Sequence, residues 1–206
     1  PTAEEAMRTT ATVLGRHLER LSDGETGPRS QWIWWQIDKL QALPGVRLGE
    51  PQVNPDTGNP DYSVFPGLDI DPGVTIPRRA LGYADAAVES YATFRRLRDE
   101  GVIPAGVRFQ VSIPTPYAVV VAWVQASAQA GFFATFRDAI FAEVAEIAAA
   151  IPHGDLAIQW DVAVEIGVLE GVFHPDPELA TFERIVAELV ACARPVPADV
   201  PVGLHF

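Results

Sequence analysis

Two stretches decide how this chain folds: Val107-Arg108-Phe109-Gln110-Val111-Ser112-Ile113 and Leu156-Ala157-Ile158-Gln159-Trp160-Asp161. Side chains on a strand alternate between its two faces. Val107, Phe109, Val111 and Ile113 therefore share one face, and Arg108, Gln110 and Ser112 share the other. In the second stretch Leu156, Ile158 and Trp160 oppose Ala157, Gln159 and Asp161. The last residues repeat the pattern, with Val202, Leu204 and Phe206 set against Gly203 and His205. Apolar side chains on one face and polar ones on the other, increasingly toward the C-terminal end, suit a strand with helices outside and reactive groups at its C-terminal tip.

Working outward, a further strand is expected over 18–23, running into Ser22-Asp23-Gly24-Glu25-Thr26-Gly27, a turn rich in carboxylates and glycine. Helices are predicted over 3–15, where Thr2 and Glu5 have capping-box spacing, and over 31–41 and 83–99, the latter followed by Gly101. Another lies within 116–150, with Glu143 and Glu146 on a solvated side opposite Phe133, Phe136, Ile140, Phe141, Val144 and Ile147. The last predicted helix spans 177–193, capped by Asp176 and begun by Pro177. Its apolar face is Leu179, Phe182, Ile185, Val186, Leu189 and Val190. Between Pro44 and Pro77 stand seven prolines and five glycines, which predicts a long irregular connection at about 44–79 packed over the sheet. Strands alternating with helices imply parallel pairing through right-handed crossovers. The expected fold is α/β, a (β/α)8 barrel represented in residues 1–206 by an incomplete portion with four clear strands, in one domain.

Composition narrows the classes of function. The chain has 206 residues, 48% of them hydrophobic and 20% charged, which suits one globular domain with a sizeable core. A formal net charge of −12 repels phosphate backbones and anionic lipid, so neither nucleic acid nor a membrane is expected as partner. The expected partner is a small-molecule substrate, with a homo-oligomer left open. The single cysteine, Cys192, rules out an intrachain disulfide framework, and cytoplasmic residence is the default expectation.

The candidate site residues each have an ordinary structural reading. Asp23 and Glu25 are common turn formers, and Arg29 follows them on the same turn. Gln159 and Asp161 could be rim residues, but an inward carboxylate needs a partner or a ligand. A lone histidine such as His205 is more often structural than a metal ligand. Trp32, Trp34 and Trp35 read as helix-packing residues. Asp23, Glu25, Asp161 and Glu165 are the candidate acid, base and orienting groups. Arg29, Gln110, Ser112, Thr115, Gln159 and Trp160 are the candidate substrate contacts. Glu25, Asp161 and His205, far apart in sequence, are expected to converge on one cavity.

Three segments, 20–29, 108–116 and 156–161, together resemble the superfamily of the cobalamin-independent methionine synthase barrel and uroporphyrinogen decarboxylase. In the synthases a His-Gly-Glu segment, a Gly-Pro-Val-Thr turn and a Gln-Ile-Asp-Glu-Pro segment follow successive strands, and the next strand ends in His-x-Cys. Gly24-Glu25, Pro114-Thr115-Pro116, Gln159-Trp160-Asp161 and His205 stand in the matching places. The resemblance implies a methyl or alkyl transferase, or a related carbon-sulfur bond enzyme, dependent on zinc. It implies that Glu25 and Asp161 hold a polar part of the substrate, that Thr115 and Gln159 line the pocket, and that His205 is a first metal ligand whose companions are absent from these residues. Trp160 in place of an aliphatic residue, and Val162-Ala163-Val164-Glu165 in place of the Glu-Pro turn, argue against methionine synthesis itself. A metal-free barrel decarboxylase or hydrolase and a non-catalytic binding protein are the rival readings.

Overall fold

The computed structural model describes residues 1–50, 52, 53, 58, 60, 61 and 65–206; parts of the expected connection, at 51, 54–57, 59 and 62–64, lie outside them. In chain order the first elements are α1 (Ala3–Leu14), β1 (Arg20–Leu21), α2 (Trp32–Gln41), β2 (Val46–Leu48), β3 (Gln52–Val53), β4 (Pro60–Asp61) and β5 (Leu68–Ile70). There follow α3 (Tyr83–Asp99), β6 (Arg108–Pro114), α4 (Pro116–Trp123), α5 (Ala126–Ala150), β7 (Leu156–Asp161), α6 (Glu165–Leu169), α7 (Phe182–Ala191) and β8 (Val202–His205). Short 3-10 turns join several of these.

Four strands form one parallel sheet in the order β1-β6-β7-β8, the order in which the chain makes them. The fold is therefore α/β, as the alternation predicted. The register sets Leu21 beside Phe109, Phe109 beside Leu156, and Ile158 beside Val202. Phe109, Val111, Ile113, Leu156, Ile158 and Trp160 are buried on the side covered by helices. There Phe94 of α3 meets Phe109 at 5.4 Å between ring centroids, and Phe141 of α5 meets Trp160 at 5.8 Å. Removing each such side chain from water contributes roughly 1.5–3 kcal/mol. The other parity, Arg108, Gln110, Ser112, Gln159 and Asp161, stays partly exposed. No helix among the described residues is long and apolar enough to cross a membrane.

Several expectations change. The stretch over 116–150 is two helices, broken at Val124-Gln125, because Gln125 turns its amide to the Leu68 carbonyl at 2.9 Å. Gln129 Nε2 donates to the carbonyls of Val121 (3.2 Å) and Val124 (2.9 Å), satisfying the end of α4. The connection holds short antiparallel pairs rather than none: β2 with β5, and β3 with β4. Val46, Leu68 and Ile70 bury their side chains there, and the exposed Arg47 bridges Asp69 and Asp71 at 2.6 Å each. Asp176 caps only the 3-10 turn Pro177–Leu179, while Thr181 caps α7 through the Arg184 amide. Of the expected apolar face, Leu179 and Ile185 are buried, but Phe182, Val186 and Val190 are exposed.

Glu143 is not solvated, as its position had suggested, but 2% exposed. Its carboxylate accepts hydrogen bonds from the amides of Leu81 (2.9 Å), Gly82 (3.0 Å) and Ala84 (2.9 Å), the start of α3. A negative charge there answers both the unpaired amides and the helix dipole. Glu146 instead bridges the exposed Arg78 and Arg79. Glu143→Ala is expected to lower the unfolding free energy by about 3 kcal/mol, since it leaves three buried amides unpaired. Glu146→Ala should lower it by less than about 1 kcal/mol, the value of surface ion pairs, and urea denaturation separates the two.

Candidate functional site

The polar parity of the sheet forms a hydrogen-bonded ladder across three strands. Gln110 Nε2 donates to Gln159 Oε1 at 3.0 Å, and Gln159 Nε2 donates to Asp161 Oδ1 at 2.9 Å and more loosely to Ser112 Oγ at 3.4 Å. The register puts Asp161 directly beside His205, and their Oδ1 and Nδ1 are 3.0 Å apart. Because the carboxylate can only accept, Nδ1 carries the proton of that bond, which leaves Nε2 as the free ring nitrogen. The parity of two strands and the pairing of a third thus assemble a Gln-Asp-His chain at the C-terminal strand ends.

The turn after β1 supplies the remaining carboxylates. Asp23 is buried and accepts from Ser90 Oγ at 2.6 Å, from the Glu25 amide at 2.9 Å and from the Arg29 guanidinium. Although burial opposes its charge most strongly, Ser90, Arg29 and the amide together hold its carboxyl below the ordinary range. Glu25 has φ +47°, a left-handed conformation that few non-glycine residues adopt. Burial, and then the negative charge of Asp161, push its carboxyl up to about 7. Glu25 and Asp161 therefore face one another electrostatically. Ser22, Asp23, Glu25, Arg29, Tyr83, Gln110 and Ser112 help to line a small enclosed pocket beside this pair.

Gln110, Ser112, Gln159, Asp161 and His205 stand along one hydrogen-bonded row, and Glu25 feels the Asp161 charge, but the pocket that Glu25 lines with Asp23, Arg29, Gln110 and Ser112 is lined by neither Asp161 nor His205. Asp23 does not share Glu25's inward placement: it faces α3, since β1 ends at Leu21 and strand alternation stops there. Trp160 lies on the helix side at 0% exposure, so it lines the core and not the polar face. Thr115 is buried and spends its hydroxyl capping α4 through the Ala118 amide at 3.1 Å. Glu165 is buried, accepts from the Val164 amide at 3.2 Å and lies within reach of the Thr115 hydroxyl, and burial raises its carboxyl above the usual range. Thr115 and Glu165 form a separate pair under the start of α4.

Sequence reasoning missed Tyr83. It begins α3, is 5% exposed, and its hydroxyl has no hydrogen-bond partner among the described residues. Burial, and then the Glu25 and Glu143 charges, raise its hydroxyl well above the ordinary tyrosine range, so it stays protonated. An aromatic residue on an apolar helix face reads as core, and its polar tip gives no periodic signal.

No protein-family model, curated protein or solved structure matches this chain. Among the described residues no group of three or more His, Cys, Asp or Glu is arranged to hold a metal ion. Cys192 is buried and its thiol is pushed up to about 12, chiefly by burial, so it does not offer a thiolate.

Glu25 binds its proton more tightly in the folded chain than at its ordinary value of 4.5. The stability carried by the neutral form is present at low pH and is lost as pH rises from about 4.5 through 7. Glu25→Gln should accordingly gain stability relative to the unsubstituted protein between pH 5 and pH 8, roughly the window of that titration, as thermal melts would show. In Asp161→Asn, carboxyl NMR should find the Glu25 titration moved downward; an unmoved titration would mean that the two groups are not coupled.

Proposed function

We propose that the sheet is a segment of a (β/α)8 barrel and that the chain is an enzyme performing proton transfer on a small polar substrate, as a decarboxylase or hydrolase would. The barrel reading is supported by strand order. Successive parallel strands laid down in one direction through right-handed crossovers keep all their helices on one face. The polar face left over then corresponds to a barrel interior. The exposed Phe182, Val186 and Val190 on α7, with Val202 and Leu204 on β8, are the surface a further strand and helix would cover.

The observation that carries the functional reading is Glu25 held near 7 opposite the Asp161–His205 pair. A carboxyl poised near neutrality populates both its forms, which suits a general acid or base. Asp161 fixes the orientation of the imidazole, while Gln110 and Gln159 fix Asp161. His205 Nε2 is then the second proton-transferring atom. Glu25, after β1, and His205, at the end of β8, would reach the substrate from the two edges of the sheet, with the β6 and β7 ends between them.

A second reading, the zinc-dependent methyl or alkyl transferase implied by the resemblance, is favoured by one feature. A carboxylate bonded to one ring nitrogen is how proteins orient a metal-binding imidazole. His205 fits that role; a complete ligand set does not occur among the described residues.

In a screen of hydrolysis and decarboxylation of small polar acids and esters, turnover at this site should fall by about 10²–10⁴ in Glu25→Gln, with an unchanged fold. Its rate should show a limb near pH 7, where Glu25 titrates. Equal turnover in the variant would refute the acid-base assignment. Zinc retained stoichiometrically by the protein but lost in His205→Ala would favour the transferase.

A further inference from the structure

The Tyr83 hydroxyl is a buried donor without an acceptor among the described residues, and burying a polar group unpaired is unfavourable. Other buried unpartnered atoms exist, but Trp160 Nε1, for one, belongs to a side chain on the helix side of the sheet. Tyr83 instead lines the pocket that it shares with Glu25, Arg29, Gln110 and Ser112. Its ring is held edge-on against Trp35, with centroids 5.1 Å apart at 85°. Its backbone sits in the turn that Glu143 clamps through Leu81, Gly82 and Ala84. A donor fixed in this way cannot swing to find a partner elsewhere, so it is preorganised for something that enters the pocket.

We propose that Tyr83 is a substrate contact of this site, donating a hydrogen bond to a carbonyl or carboxylate oxygen that a small substrate lodges between Tyr83 and Glu25. This rests on the acid-base reading of Glu25 and names the class of compound it acts on. A protonated tyrosine in that position needs an acceptor. Arg29 stands on the same wall, paired with Asp23, and its charge acts on both Tyr83 and Glu25. Glu25 in its neutral form adds another donor. Space in the pocket is that of a single water-sized group, which admits one oxygen atom and no ring. A fixed hydroxyl donor and a neutral carboxyl around one such atom describe recognition of a carbonyl or carboxylate, and in the reaction the same donors would meet negative charge as it develops on that oxygen.

The test uses acetate and pyruvate as probes, with methylammonium as the cationic control, followed by amide NMR on the unsubstituted protein and on Tyr83→Phe. At least one anion should bind saturably and shift Glu25 and Ser112, and Tyr83→Phe should weaken that binding by about tenfold or more. The melting temperature of free Tyr83→Phe should equal or exceed that of the unsubstituted protein, because only an unpartnered hydroxyl is removed. Equal binding in Tyr83→Phe, a clearly lower melting temperature, preference for methylammonium, or failure of both anions to bind would each overturn the proposal. The acid-base reading fails by a different result: Glu25 not titrating near 7, whatever the probes do.

Discussion

The parallel register between β6 and β7, six residue pairs from Phe109 beside Leu156 to Pro114 beside Asp161, governs the rest of the structure. It aligns two apolar parities into one surface for α3 and α5 and, by the same alternation, stacks Gln110, Ser112, Gln159 and Asp161 on the opposite face. A slip by one residue would drive Gln159 and Asp161 among the helices and expose Trp160. Core and site are thus two consequences of one pairing. β8 then joins β7 so that His205 lands beside Asp161, which makes the dyad a product of backbone hydrogen bonding before any side-chain preference acts.

Buried acids in this chain are accommodated in different ways. Glu143 accepts from three backbone amides, and a serine, an arginine and an amide hold the Asp23 carboxyl below the ordinary range. Glu25, whose carboxyl accepts no hydrogen bond among the described residues and which burial and Asp161 disfavour when charged, shifts toward its neutral form although the Arg29 charge opposes it. Structural carboxylates are those with donors aimed at them. The Glu25 carboxyl, without such donors, is pushed up to about 7, and it stands beside the C-terminal strand ends.

The strands, the helices and their alternation were legible because period-2 and period-3.6 patterns are properties of neighbouring residues. The placing of Asp161 beside His205 was legible for the same reason, since parity assigns a face to each. What parity could not carry was the turn after β1, with Asp23 and Glu25, where alternation no longer holds; parity did point Trp160 to the helices, against its reading as a substrate contact. Glu143 was misread because helical periodicity finds the apolar stripe but not a carboxylate required by the amides of a distant helix start. Tyr83 was invisible for a related reason: its ring obeys the apolar pattern, and only three-dimensional packing reveals that its hydroxyl has no partner among the described residues. The exposed stripe of Phe182, Val186 and Val190 is apolar in sequence, and sequence alone does not say what covers it.

The turn from Ser22 to Gly27 joins these threads. Gly24 and Gly27 take positive φ, 72° and 67°, as glycine does readily. Glu25 sits between them with φ +47°, at a cost of roughly 1–3 kcal/mol that glycine or asparagine would largely avoid. It also carries a carboxyl that burial and Asp161 penalise whenever it ionises. Both features oppose stability, and both stem from the same side chain. Asp23 makes the arrangement tolerable: its carboxylate holds the Glu25 amide, and Arg29 and Ser90 hold Asp23 in turn, so the strained residue is fixed from behind. A turn that needed only to reverse the chain would have no use for a glutamate there. The cost is intelligible if the carboxyl itself is what the turn exists to present, in a fixed position, to the face that Asp161 and His205 share.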